Sequence, residues 1–417
     1  MLFCTFAADM KQFDVPNIYR SNLISAIKSK RKQQDKLKKD CTPTLLDFGS
    51  VQIYLARHFG FCYGVENAIE IAFRTIDENP GKRIFLLSEM IHNPQVNEDL
   101  QERGVRFLQD THGKQVISFD EITGDDIVLI PAFGTTLEIE SMLKGKGIQV
   151  EKYNTTCPFV EKVWNRGEQL AKSGYSLVVH GKPKHEETRA TFSHASSFTP
   201  TVVVNDMKEA IELAKYITGE KTADIFYTEF KGRFSIGFDI NKDLQRFGVI
   251  NQTTQLASDT QAIAEYLKQV VMKKYDLDET NINERFADTR DTLCYATLDN
   301  QTAVSGMLST DANLAIVIGG YNSSNTSHLV ELCEEKLPTY FISSAEKLLS
   351  KDQVVHADWR TKEEKVSTGY LPQTKPVKIL ITSGASCPDA LVEDVIERLI
   401  SFYDSEKTVE SVKAAFC

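Results

Sequence analysis

Three cysteines in matching surroundings are the residues of this chain best suited to do chemistry. Cys62 lies in RHFGFCYGVENAIEIA, Cys157 in NTTCPFVEKVWNRG and Cys294 in RDTLCYATLDNQTAV. Each segment has a polar or extended lead-in, then the cysteine, then a run that reads as a helix. The intervals are 157 − 62 = 95 and 294 − 157 = 137 residues. Thiolates gathered from three such segments can hold a metal ion or an iron–sulfur cluster. On a four-iron cluster, three cysteines leave one iron without a protein ligand, open to a substrate oxygen. The alternative is three separate buried thiols: cysteine is often buried, and the chain has no C-x-x-C pair.

A second group of residues suits an anion. NQTT (251–254), NSSN (322–325) and GAS (384–386) each follow an apolar run and precede a helical one. Backbone N–H groups at helix starts, with hydroxyl and amide donors, make a cradle for phosphate oxygens. His92 in EMIHNP and His185 in HGKPKHEET add donors that can carry charge. For any one loop, ordinary helix capping explains the same residues. Glu187 follows the run SLVVHG, where α/β proteins place active-site groups, and suits a proton donor if burial raises its pKa. A first-turn glutamate favoured by the helix dipole explains it equally well. Neither a P-loop nor a G-x-G-x-x-G motif occurs, which weighs against nucleotide or nicotinamide chemistry. Cys333 in HLVELCEEK and Cys387 in TSGASCPD fit core positions, while Cys4, Cys41 and Cys417 lie near the termini.

The elements that must position these groups alternate. VQIYLA, KRIFLLS, DIVLIPA, YSLVVHG, FGVINQT, LAIVIGG, TYFIS and KILITSG are apolar, β-branched runs that predict buried strands. Amphipathic stretches between them predict an α/β fold with largely parallel sheets. The cysteine segments, each followed by a strand ending in PAFGTT, HGKPKHEET or GGYNSSNTS, form an internal repeat. The expected organisation is three pseudo-repeated α/β lobes around a central cysteine site. They span residues 50–150, 151–288 and 289–398, between an N-terminal extension (1–49) and a C-terminal tail (399–417). The lysine-rich SAIKSKRKQQDKLKKD suggests a solvated helix or a partly disordered arm, with a docking element as the alternative. Extra length in the middle lobe falls in TGEKTADIFYTEFKGRFSIGFDINKDLQRF. A net charge of −10 argues against nucleic acid or an anionic membrane as partner. No leader peptide or apolar span is visible, so a cytoplasmic protein is expected.

Taken together, GFCYGVENAI, EMIHNPQVNEDL, TTCPFVEKVW, HGKPKHEET, NQTT, DTLCYAT, GGYNSSNTSHL and TSGASCPD resemble the 4-hydroxy-3-methylbut-2-enyl diphosphate reductase (LytB) family. They occur in the family's order over about residues 50–398 and look most like its plant and cyanobacterial branch. The resemblance implies a trefoil of three α/β domains around one [4Fe–4S] cluster per chain, with Cys62, Cys157 and Cys294 as ligands. His92, His185, Thr253, Ser323, Asn325 and Ser386 match positions that bind the diphosphate or order the hydroxyl end of the substrate, and Ser324 shares their motif. Glu187 matches the proton-relay glutamate. The implied reaction is reductive loss of the allylic hydroxyl, giving isopentenyl and dimethylallyl diphosphate, the last step of the non-mevalonate pathway. Electrons would come from a ferredoxin or flavodoxin. One departure is Phe133, in PAFG, where many bacterial members carry a histidine.

Two other functions share these features. One is a three-cysteine cluster enzyme resembling quinolinate synthase, which needs no external reductant. The other is a non-catalytic iron–sulfur or zinc sensor, which would tolerate loss of the Glu187 carboxylate.

Overall fold

The computed structural model describes residues 13–287, 292–405 and 407–416. Cys4 and Cys417 lie outside these, as do Arg290 and Asp291 ahead of Cys294. Each apolar run predicted to be a strand is one. Ser176–His180, Phe247–Asn251 and Leu314–Ile318 are buried at every position, because helices cover both faces of a parallel sheet. No helix among the described residues is long and apolar enough to cross a membrane.

Three sheets repeat one plan. The first has the order Arg106–Phe107, Ile84–Leu86, Ile127–Leu129. The second is Thr201–Val204, Ser176–His180, Phe247–Asn251 and the short Phe286–Ala287. The third has Thr339–Ile342, Leu314–Ile318 and Val377–Ser383 at its heart. In each, the strand earliest in sequence is central and its two successors flank it in parallel. The plan places corresponding strand ends, and the loops that leave them, in corresponding positions.

The third sheet grows to seven strands by additions at both edges. Gln353–Ala357 and Glu364–Thr368 join antiparallel on one side. On the other, Val51–Leu55 pairs in parallel with Val377–Ser383, and Thr44–Asp47 adds antiparallel to it. The run VQIYLA, expected with the first lobe, therefore hydrogen-bonds in the third. A lone apolar strand does not encode its partner, and this one closes the chain by pairing residues more than 300 positions apart in sequence (Val51 with Val377).

The lysine-rich N-terminal stretch is helical, as one of the two expectations had it, but one face of it is buried rather than solvated. Asn22–Gln34 is a helix capped by Ser21, whose Oγ accepts from the Ile24 N–H at 2.9 Å. Leu23, Ile24 and Ile27 are fully buried in the third lobe's core, and the lysines occupy the outer face. Burying each such side chain contributes about 1.5–3 kcal/mol, enough to hold a helix of modest propensity in place. Arg31 fastens it further. Its guanidinium donates to the Leu55, Ala56 and Arg57 carbonyls at 3.0, 2.7 and 3.0 Å, at the start of the loop that leads to Cys62. Lys28 pairs with Asp389 at 2.7 Å, tying the same helix to Asp389–Ile400.

The middle-lobe insertion forms the short helices Ala223–Glu229 and Ile240–Asp243. Phe226, Phe230 and Phe238 pack from it into the second lobe's core, with Phe226 and Phe238 stacked at 5.5 Å between ring centres. Cys333 and Cys387 are fully buried in the third core, as expected for Cys333.

Candidate active site

Cys62, Cys157 and Cys294 are the N-caps of three helices, Tyr63–Glu78, Pro158–Lys172 and Tyr295–Met307, each with extended backbone at the cap. At a helix start the first N–H groups lack intrahelical acceptors and the dipole is positive, so a thiolate there finds donors and a favourable field. The Thr297 N–H donates to the Cys294 Sγ at 3.3 Å, and its hydroxyl lies 3.0 Å from the same sulfur. The Gly64 and Val65 N–H groups favour the Cys62 thiolate, and those of Phe159 and Val160 the Cys157 thiolate, but neither sulfur takes a cap hydrogen bond as Cys294 does.

Each cysteine also donates its own N–H to a loop leaving a strand end. Cys157 donates to the Ala132 carbonyl at 2.9 Å, Cys294 to Thr253 at 3.2 Å, and Cys62 to Ala385 at 3.2 Å. The loops PAFG, NQTT and GAS each follow the last of their lobe's three core strands, so one local device is used three times. This changes the alignment of the repeat. PAFGTT corresponds to NQTT and GAS, whereas HGKPKHEET and GGYNSSNTS correspond to EMIHNP, after the central strand. Apolar runs of similar length look alike in sequence, and only the sheet order separates first strands from third.

The three thiols line a single cavity enclosing about 640 Å³ of non-protein space. Without a cation among them they hold their protons. Burial raises the pKa of each, and the Cys62 charge raises Cys157 further and Cys294 to about 12. Among the described residues no three His, Cys, Asp or Glu side chains are grouped to hold a metal ion, so these thiols do not close on one point. Gly64 lets Cys157 approach the start of the Cys62 helix: a Cβ there would lie 2.3 Å from the Cys157 Sγ.

The loops after the three central strands supply the other wall. His92 precedes Pro94–Glu102, His185 caps Glu186–Phe198, and Ser323 caps Ser324–Glu334. The His185 Nδ1 accepts from the Glu187 N–H at 3.2 Å, which leaves the proton of the neutral ring on Nε2. Burial, and then the nearby His92, Lys182 and Arg189, push the His185 pKa well below its usual range. Phe133 lies flat against His92, ring centres 4.2 Å apart, and edge-on to His185 at 5.7 Å. Asn325 is oriented by accepting from the Ala385 N–H at 2.9 Å, and the Ser386 hydroxyl donates to the His92 carbonyl at 3.2 Å.

Glu187 is 1% exposed and accepts from the Thr253 N–H at 2.5 Å. Burial raises its pKa to about 7 despite the Thr253 hydrogen bonds and the nearby His92, which pull the other way. The cavity thus joins an apolar side of Val65, Ile91, Ala132 and Val160 to a rim of imidazole, hydroxyl, amide and carboxyl groups. That combination suits a small hydrocarbon with an anionic end and a chemistry that consumes protons.

Every candidate from the sequence, namely Cys62, Cys157, Cys294, His92, His185, Glu187, Thr253, Ser323, Ser324, Asn325 and Ser386, lines this cavity. Thr254, within the quoted NQTT, and Thr297, in the first turn of its helix where a threonine looks like an ordinary cap, also line it and were not singled out. Lys182 and Lys362 were missed as well. Burial lowers both pKa values, that of Lys362 to about 8, and both lysines act on His185 from the seam between the second and third lobes. Lys182 stood in the quoted HGKPKHEET, but a lysine beside turn residues looks solvated.

Comparison with known proteins agrees with this geometry. The family model described as LytB protein matches residues 53–400. A 4-hydroxy-3-methylbut-2-enyl diphosphate reductase of Trichodesmium erythraeum is 37% identical over 384 residues, 92% of this chain and 90% of that protein. One from a Picosynechococcus species is 40% identical over 354 residues, 85% of each chain. The solved structure of (E)-4-hydroxy-3-methyl-but-2-enyl diphosphate reductase, the terminal enzyme of the non-mevalonate pathway, superposes with a TM-score of 0.51. It is 26% identical, over 84% of this chain and 99% of that one. The Plasmodium falciparum E-1-hydroxy-2-methyl-but-2-enyl-4-diphosphate reductase shares the fold, with a TM-score of 0.59 at 22% identity over 84% and 87% of the two chains. The chain belongs to the LytB family, the 4-hydroxy-3-methylbut-2-enyl diphosphate reductases.

Proposed function

We propose that this chain reduces 4-hydroxy-3-methylbut-2-enyl diphosphate to isopentenyl and dimethylallyl diphosphate, with release of water, using one [4Fe–4S] cluster. The three lobes, 50–150, 151–288 and 289–398, form a trefoil around that cluster, with the strand Val51–Leu55 completing the third sheet. The single observation in support is the shared cavity. Three thiols at helix N-termini and an apolar wall face His92, His185, Glu187 and the Ser323–Asn325 loop across one space.

The donor set fits the group. Cys62, Cys157 and Cys294 would hold three irons, and their caps offer N–H groups to sulfur, a usual way of tuning such clusters. When bound, the cluster supplies electrons and an open iron that stabilises the leaving oxygen. The rest falls to the protein. The His185 Nε2–H, His92, the Ser323, Ser324 and Ser386 hydroxyls and the Asn325 amide hold the diphosphate, and Lys182 and Lys362 add positive field behind His185. Fixing that end places the hydroxyl end near Thr253 and Glu187, an orientation effect of several kcal/mol. Phe133 keeps His92 flat against the wall and excludes water where other members have a histidine. Glu187, its pKa near neutrality, gives up the proton that the reaction takes at oxygen or carbon. The electrons come from an external ferredoxin or flavodoxin.

The test is oxidation of reduced methyl viologen by anaerobically purified, cluster-loaded protein, with and without the allylic diphosphate. Substrate-dependent oxidation that yields both C5 diphosphates is expected. Oxidation that is independent of the substrate would reject the assignment.

A further inference from the structure

Two consecutive glutamates open the helix Glu186–Phe198, and they face different spaces. Glu187 lines the substrate cavity, whereas Glu186 lines a second, polar cavity together with Ser88, Gln109, Thr135, Thr136 and Arg189. The second cavity encloses about 520 Å³ of non-protein space. Arg189 spends two donors on the Thr111 and His112 carbonyls, and its buried Nε–H has no acceptor among the described residues. A buried donor in a hydroxyl- and amide-lined space is satisfied by water.

Glu186 connects this space to the substrate. One carboxylate oxygen accepts from the Ser88 hydroxyl, and the other lies 2.9 Å from the His92 Nε2, with both side chains about 5% exposed. His92 itself lines the substrate cavity, against Phe133 and 5.1 Å from His185. The buried Glu89 carboxyl senses the charges of both members of the pair. Replacing a hydroxyl by hydrogen consumes two electrons and two protons and releases one water. The reductase assignment, on which this inference rests, therefore needs two protons per turnover at a site where Glu187 is 1% exposed.

We propose that Glu186 and His92 form a proton-entry relay between the water of the second cavity and the substrate cavity. Glu186 takes a proton from cavity water and passes it to the His92 Nε2, and the imidazolium releases its other proton, from Nδ1, on the substrate side. The imidazole then relaxes to its starting tautomer, and bulk water restores the proton withdrawn from the second cavity. No bond to carbon changes in the relay, which serves to recharge Glu187 after each turnover.

Glu186→Gln keeps the size and one hydrogen bond to His92 but cannot carry a proton. The relay predicts that kcat falls at least about tenfold, that KM stays within about twofold, and that the solvent deuterium isotope effect on kcat rises. It also predicts that imidazolium or formic acid partly restores the rate of Glu186→Ala. A rise in KM with no change in isotope effect and no rescue would show that Glu186 only positions His92, and would overturn the relay. So would a variant as fast as the parent. If Glu186→Gln loses its iron, Ser88→Ala, which removes the hydroxyl partner, is measured for the same isotope effect. An inactive parent protein rejects the reductase assignment, whereas an active parent with an unaffected variant rejects the relay alone.

Discussion

Replacing Glu187 by glutamine should abolish turnover and, in the cluster-free protein, raise stability above neutral pH. Both effects follow from one buried carboxyl. Burial raises its pKa from the ordinary 4.5 to about 7, against the opposing pull of the Thr253 hydrogen bonds. Between those values the native state keeps a proton that the unfolded chain has released, so raising the pH favours unfolding. At about 1.4 kcal/mol per pH unit, the native state loses about 3 kcal/mol by pH 8 relative to pH 4. Glutamine retains an acceptor for the Thr253 N–H and cannot ionise. Urea unfolding of cluster-free Glu187→Gln should therefore show a gain of about 3 kcal/mol over the parent at pH 8, falling to about 1 kcal/mol at pH 5 and vanishing below about pH 4. In the cluster-loaded enzyme the same change should lower kcat by about 10²–10⁴, with iron content unchanged. The proton-donating form falls about tenfold for each pH unit above 7, so the parent's rate should decline on the alkaline side. An equal stability difference at pH 5 and pH 8 would refute the burial argument. Full activity in the variant would refute the role of proton donor.

Other consequences follow from single residues. Serine at Cys62, Cys157 or Cys294 should each strip or degrade the cluster, seen as loss of iron and of visible absorbance; an intact cluster removes that cysteine from the ligand set. Gly64→Ala should do nearly the same without replacing a ligand, because its Cβ would fall 2.3 Å from the Cys157 Sγ. Normal iron content in that variant would mean that the two segments separate at little cost. Leu23→Ala, in the N-terminal helix, should destabilise the chain by about 2–5 kcal/mol in urea unfolding, since its side chain is fully buried. A change within about 0.5 kcal/mol would show that this helix is not part of the core.

Much of the site could be read from the sequence because its chemistry is concentrated in short motifs. A polar or extended lead-in, a cysteine and then a helical run recur three times, and each such cysteine is the N-cap of its helix. Strands such as Ile84–Leu86 and Leu314–Ile318 were legible because they are apolar throughout, as burial on both faces requires, whereas partly exposed edge strands such as Thr44–Asp47 and Glu364–Thr368 were not. What stayed hidden depends on long-range pairing. Nothing in VQIYLA indicates that Val51 pairs with Val377, or that PAFG is the counterpart of NQTT rather than of HGKPKHEET. The lysines of the N-terminal helix concealed Leu23, Ile24 and Ile27, whose stripe is narrow beside so much charge. Glu186 and Glu187 are identical in sequence terms. Only a helical turn of about 100° per residue sends them to different cavities.

The most direct test of the central claim is a stoichiometric incubation. Cluster-loaded protein is mixed with 4-hydroxy-3-methylbut-2-enyl diphosphate and a measured amount of reduced methyl viologen, quenched, and assayed for C5 diphosphates. Isopentenyl and dimethylallyl diphosphate together should appear at one molecule for every two electrons supplied, and cluster-loaded Glu187→Gln should form almost none. Recovery of unchanged substrate from cluster-loaded protein given an excess of reductant would contradict the assignment.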